Sequence, residues 1–374
     1  MAGLYIHIPF CKQACHYCDF HFSTSLRNKG ALVDALCKEI ETRKDYLGTS
    51  GLTSIYFGGG TPSLLSATDL TQILGTIQKH FTLTPDAEIT LEANPDDLTS
   101  TKTDELKAAG INRLSIGIQS FLDEHLVLMN RSHNATQAIE GVKNAQRSDI
   151  TNISIDLIYG LPNLSPEKWA YNIKQAFSLG ITHLSAYCLT IEKKTALNRF
   201  VQNKTILLPE EPIVLEQFSM LMEQTAKQGF IHYEISNFCK EGMHAKHNSS
   251  YWKNDSYLGI GPSAHSYNGN SRQWNIANNA LYIKGIEALE PAFEREELTD
   301  ADKFNEYIMT RLRTIWGVDL VFVKDTFGEN VLTNLQNEAK EYITLGYMQQ
   351  KGENVTLTKE GKFIADKIAS DLFI

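Results

Sequence analysis

The chain has 374 residues, of which 42% are hydrophobic and 21% are charged. This balance is that of an ordinary globular protein, and it excludes a disordered, collagen-like or coiled-coil chain. There are 35 Lys and Arg residues against 44 Asp and Glu residues, which gives a formal net charge of −9. A chain without a basic excess has little with which to neutralise a phosphate backbone, so we expect no nucleic-acid partner.

Hydrophobic segments are short throughout the sequence. Runs such as Ile55–Phe57 fall far below the roughly 20 residues that a membrane-spanning helix needs. The first residues also lack the basic segment, apolar segment and cleavage site of a signal peptide. The sequence therefore predicts a cytoplasmic protein with no integral membrane segment.

Six β-rich segments alternate with amphipathic helical segments in the first half of the chain. The predicted strands are Leu4–Ile8, Leu52–Phe57, Glu88–Glu92, Arg113–Ile118, Asn152–Ile158 and His183–Leu189. The predicted helices are Leu32–Leu47, Leu70–Ile77, Lys102–Ala109, Ala135–Ala145 and Glu167–Leu179. The mean strand spacing of about 36 residues is that of a βαβ unit. Six units are two short of a closed eight-stranded barrel, so we predict an α/β fold, either a partial (β/α)6 TIM-like barrel or an open parallel sheet.

Residues suited to chemistry lie where these predicted strands end. Cysteines follow the first strand, glycines follow the second, Glu92 ends the third, Gln119 follows the fourth and Asp156 lies near the end of the fifth. In parallel α/β folds, binding and catalytic groups lie just beyond the C-terminal ends of the strands. Five such positions in succession predict a single site at this edge.

Three of the six cysteines, Cys11, Cys15 and Cys18, lie within eight residues. In a reducing compartment such a cluster is typical of a metal or iron–sulfur site rather than of disulfides. A structural zinc ion normally takes four protein ligands, and His16 or His21 could supply the fourth. A [4Fe-4S] cluster also usually takes four thiolates, so three would leave one iron open to a substrate or cofactor.

Two glycine-rich segments have different interpretations. Gly58–Ser63 lies between a predicted strand and a predicted helix, where its backbone could approach a ligand closely. Gly259–Ala264 imitates a dinucleotide-binding fingerprint, but it lacks a clear βαβ unit and contains Pro262, so we reject that role. Four polar side chains could recognise the amine, hydroxyl and carboxylate groups of a small ligand: Glu92, Gln119, Arg131 and Asp156.

Together these segments resemble the radical S-adenosylmethionine (SAM) family. Within that family they resemble the group related to oxygen-independent coproporphyrinogen oxidase. The resemblance covers essentially the whole chain and rests on an ordered set of motifs. These are Tyr5–Phe20 with its three cysteines, Gly58–Ser63, Leu91–Pro95, Arg113–Phe121, Asp156–Pro162 and Tyr233–Phe238. The resemblance implies a partial radical SAM barrel.

The resemblance implies that Cys11, Cys15 and Cys18 bind a [4Fe-4S] cluster whose remaining iron is chelated by SAM. In the family's chemistry, one electron from the reduced cluster cleaves SAM to methionine and a 5′-deoxyadenosyl radical. The protein's part is to position the sulfonium and exclude water. An electron donor such as a flavodoxin or ferredoxin is implied as a partner.

The resemblance also implies a set of side chains and glycines that contact SAM. They are Tyr5, Tyr17, Gly59, Gly60, Thr61, Glu92, Gln119, Arg131 and Asp156, with Thr190 as a further candidate on the adenine side. Gly60 and Glu92 are expected near the methionyl amine, and Arg131 is expected to pair with the carboxylate. Gln119 and Asp156 are expected to hold the ribose hydroxyls.

Two departures from the oxidase pattern point to the heme-chaperone branch of this group. Coproporphyrinogen dehydrogenases have a further cysteine two positions after the third one, and here that position is Phe20. They also have an N-terminal arm, whereas only four residues precede Tyr5. The heme-chaperone branch carries a His-Asn-x-x-Tyr-Trp element, which is present as His247–Trp252.

This branch implies a protein that binds heme and delivers it to respiratory hemoproteins. The alternative is an oxidase that decarboxylates coproporphyrinogen III to protoporphyrinogen IX. His247 is the implied heme ligand, since imidazole is a good axial ligand and aromatic rings suit a porphyrin face. Nearby residues in the sequence compete for this role: Cys239, Met243, His244 and His265. A homodimer is compatible with the sequence.

The C-terminal segment predicts a separate small unit. A helical pattern from Tyr307 to Ile315, and the segment Val355–Gly361 followed by a last helix, resemble a winged-helix-like α/β domain. Nine Lys or Arg residues against eleven Asp or Glu residues in 301–374 argue against DNA binding. We therefore predict a barrel over 1–230, a barrel-associated segment with the His-Asn-x-x-Tyr-Trp element over 231–300, and the small domain over 301–374.

Overall fold

The computed structural model describes residues 2–48 and 51–374, and it confirms the predicted strands and the helices between them. The strands are β1 Ala2–Ile8, β2 Gly51–Gly59, β3 Thr82–Ala93, β4 Arg113–Gln119, β5 Asn152–Tyr159 and β6 His183–Cys188. The helices are α1 Lys29–Thr42, α2 Ala67–His80, α3 Ser100–Ala108, α4 Asp123–Leu128, α5 Ala135–Arg147 and α6 Pro166–Ser178. Helix α1 ends before the predicted Leu47, because residues 43–48 form successive turns instead.

Shorter elements follow this alternating part of the chain. They are α7 Ala196–Gln202, α8 Glu211–Lys227, β7 Ile231–Glu234, β8 Asn237–Cys239, α9 Lys246–Trp252, β9 Tyr257–Ile260, β10 His265–Tyr267, β11 Ser271–Asn275, α10 Asn279–Glu287 and β12 Phe293–Glu297. The C-terminal elements are α11 Asp300–Leu312, β13 Val318–Asp319, α12 Leu320–Phe327, α13 Glu329–Thr344, β14 Met348–Lys351, β15 Asn354–Leu357 and α14 Ala365–Asp371. Within the described ranges, no helix has the length and apolar character needed to cross a bilayer.

Twelve strands form one sheet in the order β12-β11-β10-β9-β1-β2-β3-β4-β5-β6-β8-β7. Strands β1 to β6 are parallel neighbours in chain order, and β9 adds a further parallel strand beside β1. The remaining strands extend the two sides in antiparallel pairing. The predicted α/β architecture with a partial barrel of six βα units is therefore confirmed, and the C-terminal ends of β1 to β6 meet at one edge.

Side chains of β1 to β6 alternate between an aliphatic face and a polar face, as the period of a strand requires. The aliphatic face, with residues such as Leu4, Ile6 and Phe57, belongs to the main hydrophobic core that the helices cover. The opposite face carries Tyr5, His7, Ser54, Tyr56, Glu88, Thr90, Glu92, Arg113, Ser115, Ser154, Asp156, His183 and Ser185. The interior of the partial barrel is therefore polar and must be held by hydrogen bonds.

Glu39 on α1 ties the extension beyond β1 to the barrel. Its side chain is buried, and Oε2 accepts hydrogen bonds from Gly261 N at 2.8 Å and Tyr282 Oη at 2.6 Å. Oε1 accepts from Asn275 Nδ2 at 2.8 Å and Arg43 Nη1 at 2.9 Å. The segment Gly259–Ala264 is thus part of a tight β9–β10 connection that is fixed by a carboxylate.

The C-terminal residues form a second hydrophobic core, drawn from positions between Phe304 and Leu372. Helices α11, α13 and α14 pack with a small antiparallel sheet of order β13-β15-β14. Ile235 packs against both this core and the main one. The arrangement is that of a small α/β domain attached to the barrel.

Strand β12 is the edge strand on the β9 side of the large sheet, and its side chains are exposed. All five of its residues, Phe293–Glu297, are exposed, and four of the five are charged. In the described part of the chain this strand pairs with β11 alone.

Candidate functional site

A cavity of about 720 Å³ opens at the C-terminal edge of β1 to β6. The predicted site residues that line it are Cys11, Cys15, Tyr17, Cys18, Gly59, Gly60, Thr61, Glu92, Gln119, Arg131, Asp156 and Thr190. They come from the loop after β1, the bend after β2, the ends of β3 to β5 and the loops beyond β4 and β6. The fold thus brings most of the sequence-predicted residues to one place.

The cysteine loop after β1 is held in place by its backbone. His16 N donates to Met129 O at 3.0 Å, and Asn130 Nδ2 donates to Ala14 O at 2.8 Å, so the loop is fixed to the end of α4. Its three thiols are free, partly buried and directed to the same cavity. Burial raises the pKa of the Cys18 thiol to about 11.

The donor set of the loop fits a three-thiolate cluster better than a zinc site. His16 Nδ1 lies 2.9 Å from Leu128 O, and His21 Nε2 lies 2.7 Å from Asn279 Oδ1, so each ring has one nitrogen engaged with another part of the chain. Neither histidine lines the cavity with all three thiols. In the described ranges, no three His, Cys, Asp or Glu side chains are arranged to hold a metal ion.

Arg131 lies between the cysteines and the sheet. Its Nη1 is 3.2 Å from Cys15 Sγ and donates to Tyr17 Oη at 3.3 Å. Its Nη2 donates to Asn94 Oδ1 and to Gly117 O, both at 2.8 Å. Nε is buried and has no hydrogen-bond partner among the described residues, so the guanidinium keeps one donor unused. A fixed cation beside thiolates stabilises their negative charge.

Two partly buried carboxylates face the same cavity. Glu92 Oε1 accepts from Tyr56 Oη at 2.7 Å and Oε2 accepts from Gly59 N at 3.1 Å, which fixes the orientation of the carboxylate. Burial, with the nearby charge of Asp156, raises the pKa of Glu92 to about 7. Burial also raises the pKa of Asp156 to about 6, although its hydrogen bond from Ser185 opposes the shift. A cationic or hydroxyl-bearing ligand would stabilise the charged form of such carboxylates.

Gln119 reaches the cavity through an unusual backbone conformation. Its φ is 68°, a left-handed value that non-glycine residues rarely adopt, and the β4–β5 register shifts just before it. Such conformations cost about 1–3 kcal/mol and concentrate at functional sites. The bend sets Gln119 among the cavity-lining residues at the point where β4 ends.

The glycine bend after β2 crosses the end of β1 at close range. Gly60 N donates to Ile8 O at 2.9 Å, and Thr61 N donates to Phe10 O at 2.6 Å. A Cβ at Gly60 would lie 2.7 Å from Phe10 O and 2.8 Å from Ile8 O, so no side chain fits without moving backbone. The sequence requires glycine here because the bend and the cysteine loop are in contact.

Replacing Gly60 with Ala is therefore expected to push the bend away from the cysteine loop. We expect SAM affinity to fall by about tenfold or more, roughly 1.4 kcal/mol, as measured by equilibrium dialysis with labelled SAM. Gly75→Ala on α2 is the matched control, because nothing lies within 4 Å of its added Cβ. Equal SAM affinity in the Gly60→Ala variant and in the unaltered protein would contradict the role of this contact.

Two predicted residues do not line the cavity. The Tyr5 hydroxyl lies 3.0 Å from His7 Nδ1 inside the barrel, and the Tyr5 ring stacks with that of Tyr56 at 6.2 Å. His247, at the start of α9, is only 2% exposed and lies against the first part of β2. Its Nδ1 is 2.9 Å from Ser54 Oγ, and its Nε2 is 2.9 Å from Tyr251 Oη.

Three residues that support the site were missed by sequence reasoning. Tyr56 holds Glu92, Asn94 holds Arg131, and Ser115 lies 3.3 Å from an oxygen of Asp156. Tyr56 and Ser115 occupy the polar side of otherwise aliphatic strands. That alternation is the signal that could have identified them.

A three-cysteine loop, a glycine bend and partly buried carboxylates at the edge of six parallel strands define the radical SAM class of protein. The chain matches the family model of the Radical SAM superfamily over residues 5–176 and that of the HemN C-terminal domain over residues 298–364. The curated protein "Heme chaperone HemW" of Bacillus subtilis is 33% identical, with 98% of each chain covered. The chain therefore belongs to the HemW family of the radical SAM superfamily.

Other relatives extend this result. "Heme chaperone HemW" of Haemophilus influenzae is 31% identical over 100% of this chain and 97% of that protein. Among solved structures, coproporphyrinogen III oxidase (HemN) from Escherichia coli, a radical SAM enzyme, superposes with a TM-score of 0.85 at 22% identity, with 100% of this chain and 90% of that chain covered. This likeness shows a common fold, and the family implies a [4Fe-4S] cluster and SAM as cofactors.

Proposed function

We propose that this protein is a heme chaperone, which binds heme and delivers it to respiratory hemoproteins. The observation that carries the proposal is the similarity along the full chain to proteins named heme chaperones. The exposed Phe20, at the position where the related dehydrogenases have a further cysteine, also favours this function. We place this activity in the cytoplasm.

In this proposal Cys11, Cys15 and Cys18 hold a [4Fe-4S] cluster that supplies one-electron reduction of SAM when both are bound. The electron comes from a donor such as a flavodoxin or ferredoxin. The shared cavity, the soft thiol donors and the adjacent Arg131 support the assignment. The cysteine loop supplies three donors, which leaves room for SAM at the fourth iron.

We assign the SAM contacts as the resemblance to the family implies, and the polar groups around the cavity support the assignment. Glu92 and Gly60 take the amine, and the guanidinium of Arg131 pairs with the carboxylate. Gln119 and Asp156 take the ribose hydroxyls at the ends of β4 and β5. The cavity is also lined by Tyr17, Gly59, Thr61 and Thr190. Tyr5 acts from inside the barrel through its ring contact with Tyr56.

The test compares heme transfer with coproporphyrinogen oxidation in the same anaerobically reconstituted protein. We expect a saturable change in the Soret absorption on hemin titration, followed by transfer of the bound heme to an apo-hemoprotein. With dithionite, SAM and coproporphyrinogen III we expect no protoporphyrinogen IX. Formation of protoporphyrinogen IX at enzymatic rates would replace the chaperone proposal with an oxidase.

A further inference from the structure

A second cavity, of about 520 Å³, adjoins the cysteine loop. Cys15 and Cys18 line both this outer cavity and the larger one that holds the residues assigned to SAM. The outer cavity is not lined by the ends of the strands, but by the cysteine loop, Asn130 and residues at the start of α7. The cysteine loop therefore separates the two cavities, and a partner in the outer one reaches the loop without displacing SAM.

Helix α7 is fixed to the cysteine loop. Leu197 N on the helix donates to His16 O at 2.8 Å. The Phe200 ring lies edge-on to the His16 ring, with 5.1 Å between the centroids. These contacts hold the exposed side chains of α7 at a fixed place beside the loop.

The segment 193–204, which contains α7, is strongly positive. It carries four cations and no acidic residue: Lys193, Lys194, Arg199 and Lys204. All four are exposed, and none forms an ion pair within residues 2–48 and 51–374. Lys194 and Arg199 line the outer cavity, and Asp19 is the acid among its described lining residues. In a chain whose net charge is −9, these unpaired cations form a local positive patch that attracts an acidic partner.

Phe20 adds an apolar contact to this positive patch. Its side chain is 73% exposed, and it lines the outer cavity together with Cys18. Aromatic residues are enriched at the centres of protein interfaces, which have polar rims. Electron-transfer complexes have small, weak interfaces of this kind, and complementary charge sets how fast the partners meet.

We propose that an acidic one-electron carrier protein, of the flavodoxin or ferredoxin class, docks on the surface formed by Phe20, Lys194 and Arg199. Lys193 and Lys204 add positive charge beside the two ends of α7. The inference rests on the proposed function, since it assigns the place where the electron for SAM reduction enters. The docked carrier is oxidised by one electron, and that electron passes to the cluster on the cysteine loop while SAM keeps its own cavity.

The test measures binding of oxidised flavodoxin, which docks but has no electron to donate, to the anaerobically reconstituted chain by biolayer interferometry. The double variant Lys194→Glu/Arg199→Glu is expected to raise the Kd by about tenfold or more at low ionic strength. Added salt should weaken binding to the unaltered chain and reduce this difference, because mobile ions screen exposed charges. Reduction by reduced flavodoxin, followed by stopped flow, should slow in the double variant. Reduction by dithionite and affinity for SAM should be retained, because neither needs a docked protein.

Lys44→Glu/Lys79→Glu is the matched control, because it changes the net charge by the same amount. Both lysines are exposed and form no ion pair in the described part of the chain. Lys44 follows α1 and Lys79 lies at the end of α2, so both are near the edge where β2 and β3 begin, opposite the cysteine loop. We expect the Kd of this variant for flavodoxin to stay close to that of the unaltered chain.

Three results would overturn the docking surface. They are unchanged flavodoxin binding in Lys194→Glu/Arg199→Glu, an equal loss in the control variant, and no flavodoxin binding to an unaltered chain that dithionite reduces. Loss of heme transfer to an apo-hemoprotein, with flavodoxin binding retained, would assign the surface to the heme acceptor instead. If neither dithionite nor flavodoxin reduces the unaltered chain, the one-electron chemistry of the proposed function itself fails.

Discussion

Replacing Cys15 with Ser is expected to leave the anaerobically prepared protein with almost no iron or sulfide, whereas the unaltered chain should hold about four of each. Cys15 is one of three thiols on the loop after β1, and Arg131 Nη1 lies 3.2 Å from its sulfur. A serine hydroxyl is a poor replacement for a soft thiolate, and two remaining thiolates would hold the cluster too weakly to survive purification. Colorimetric iron and sulfide assays give the answer directly.

Cys188 offers a matched control for this experiment, because it lines the same cavity from the end of β6 but lies outside the loop. We expect Cys188→Ser to keep full iron and sulfide. Equal loss in both variants would show that the loop alone does not hold the cluster. Stoichiometric zinc without sulfide in the unaltered chain would return the site to a zinc assignment.

The second large effect is expected from Glu39→Ala. The change removes the acceptor of four hydrogen bonds. The Tyr282 hydroxyl loses its carboxylate acceptor, and Arg43 Nη1 and Asn275 Nδ2 keep only the carbonyl oxygens of Gly259 and Gly261. Removing one partner of a buried, hydrogen-bonded charge pair costs about 3–5 kcal/mol. The free energy of unfolding, measured by urea titration, should fall by that amount, and the contacts between α1, α10 and the β9–β10 connection should loosen first.

Glu41→Ala on the same helix is the control. Its carboxylate is exposed, and its ion pair with Lys38 Nζ is long, at 3.7 Å. The change should therefore alter the free energy of unfolding by less than about 0.5 kcal/mol. A Glu39→Ala variant as stable as Glu41→Ala would show that the buried donors find other acceptors. Only the difference between the two variants measures the contribution of the buried carboxylate.

The parts of this molecule that could be predicted from sequence are those set by local patterns. Alternating strands and helices have short-range periodicities, and parallel topology brings the ends of the strands to one edge. The sequence therefore predicts one site that contains Cys11, Glu92 and Asp156. The glycine bend at Gly60 could be placed there as well, because it follows a strand directly.

What the sequence could not supply depends on contacts between distant parts of the chain. Strand β9 pairs with β1, although some 250 residues separate them along the chain. This return path puts His247, the heme ligand that the motif implies, inside the barrel, and the motif alone does not predict that position. The left-handed conformation of Gln119 depends on the register shift between β4 and β5, which no local pattern encodes.

The exposed edge at β12 has a consequence for how copies of this chain meet. An uncovered edge strand presents backbone groups that can recruit a strand from another molecule, the first step of aggregation. Three glutamates and one arginine fill positions 294–297, and charged side chains along an edge strand oppose such pairing. The charge along β12 thus disfavours extension of the sheet from one chain to the next.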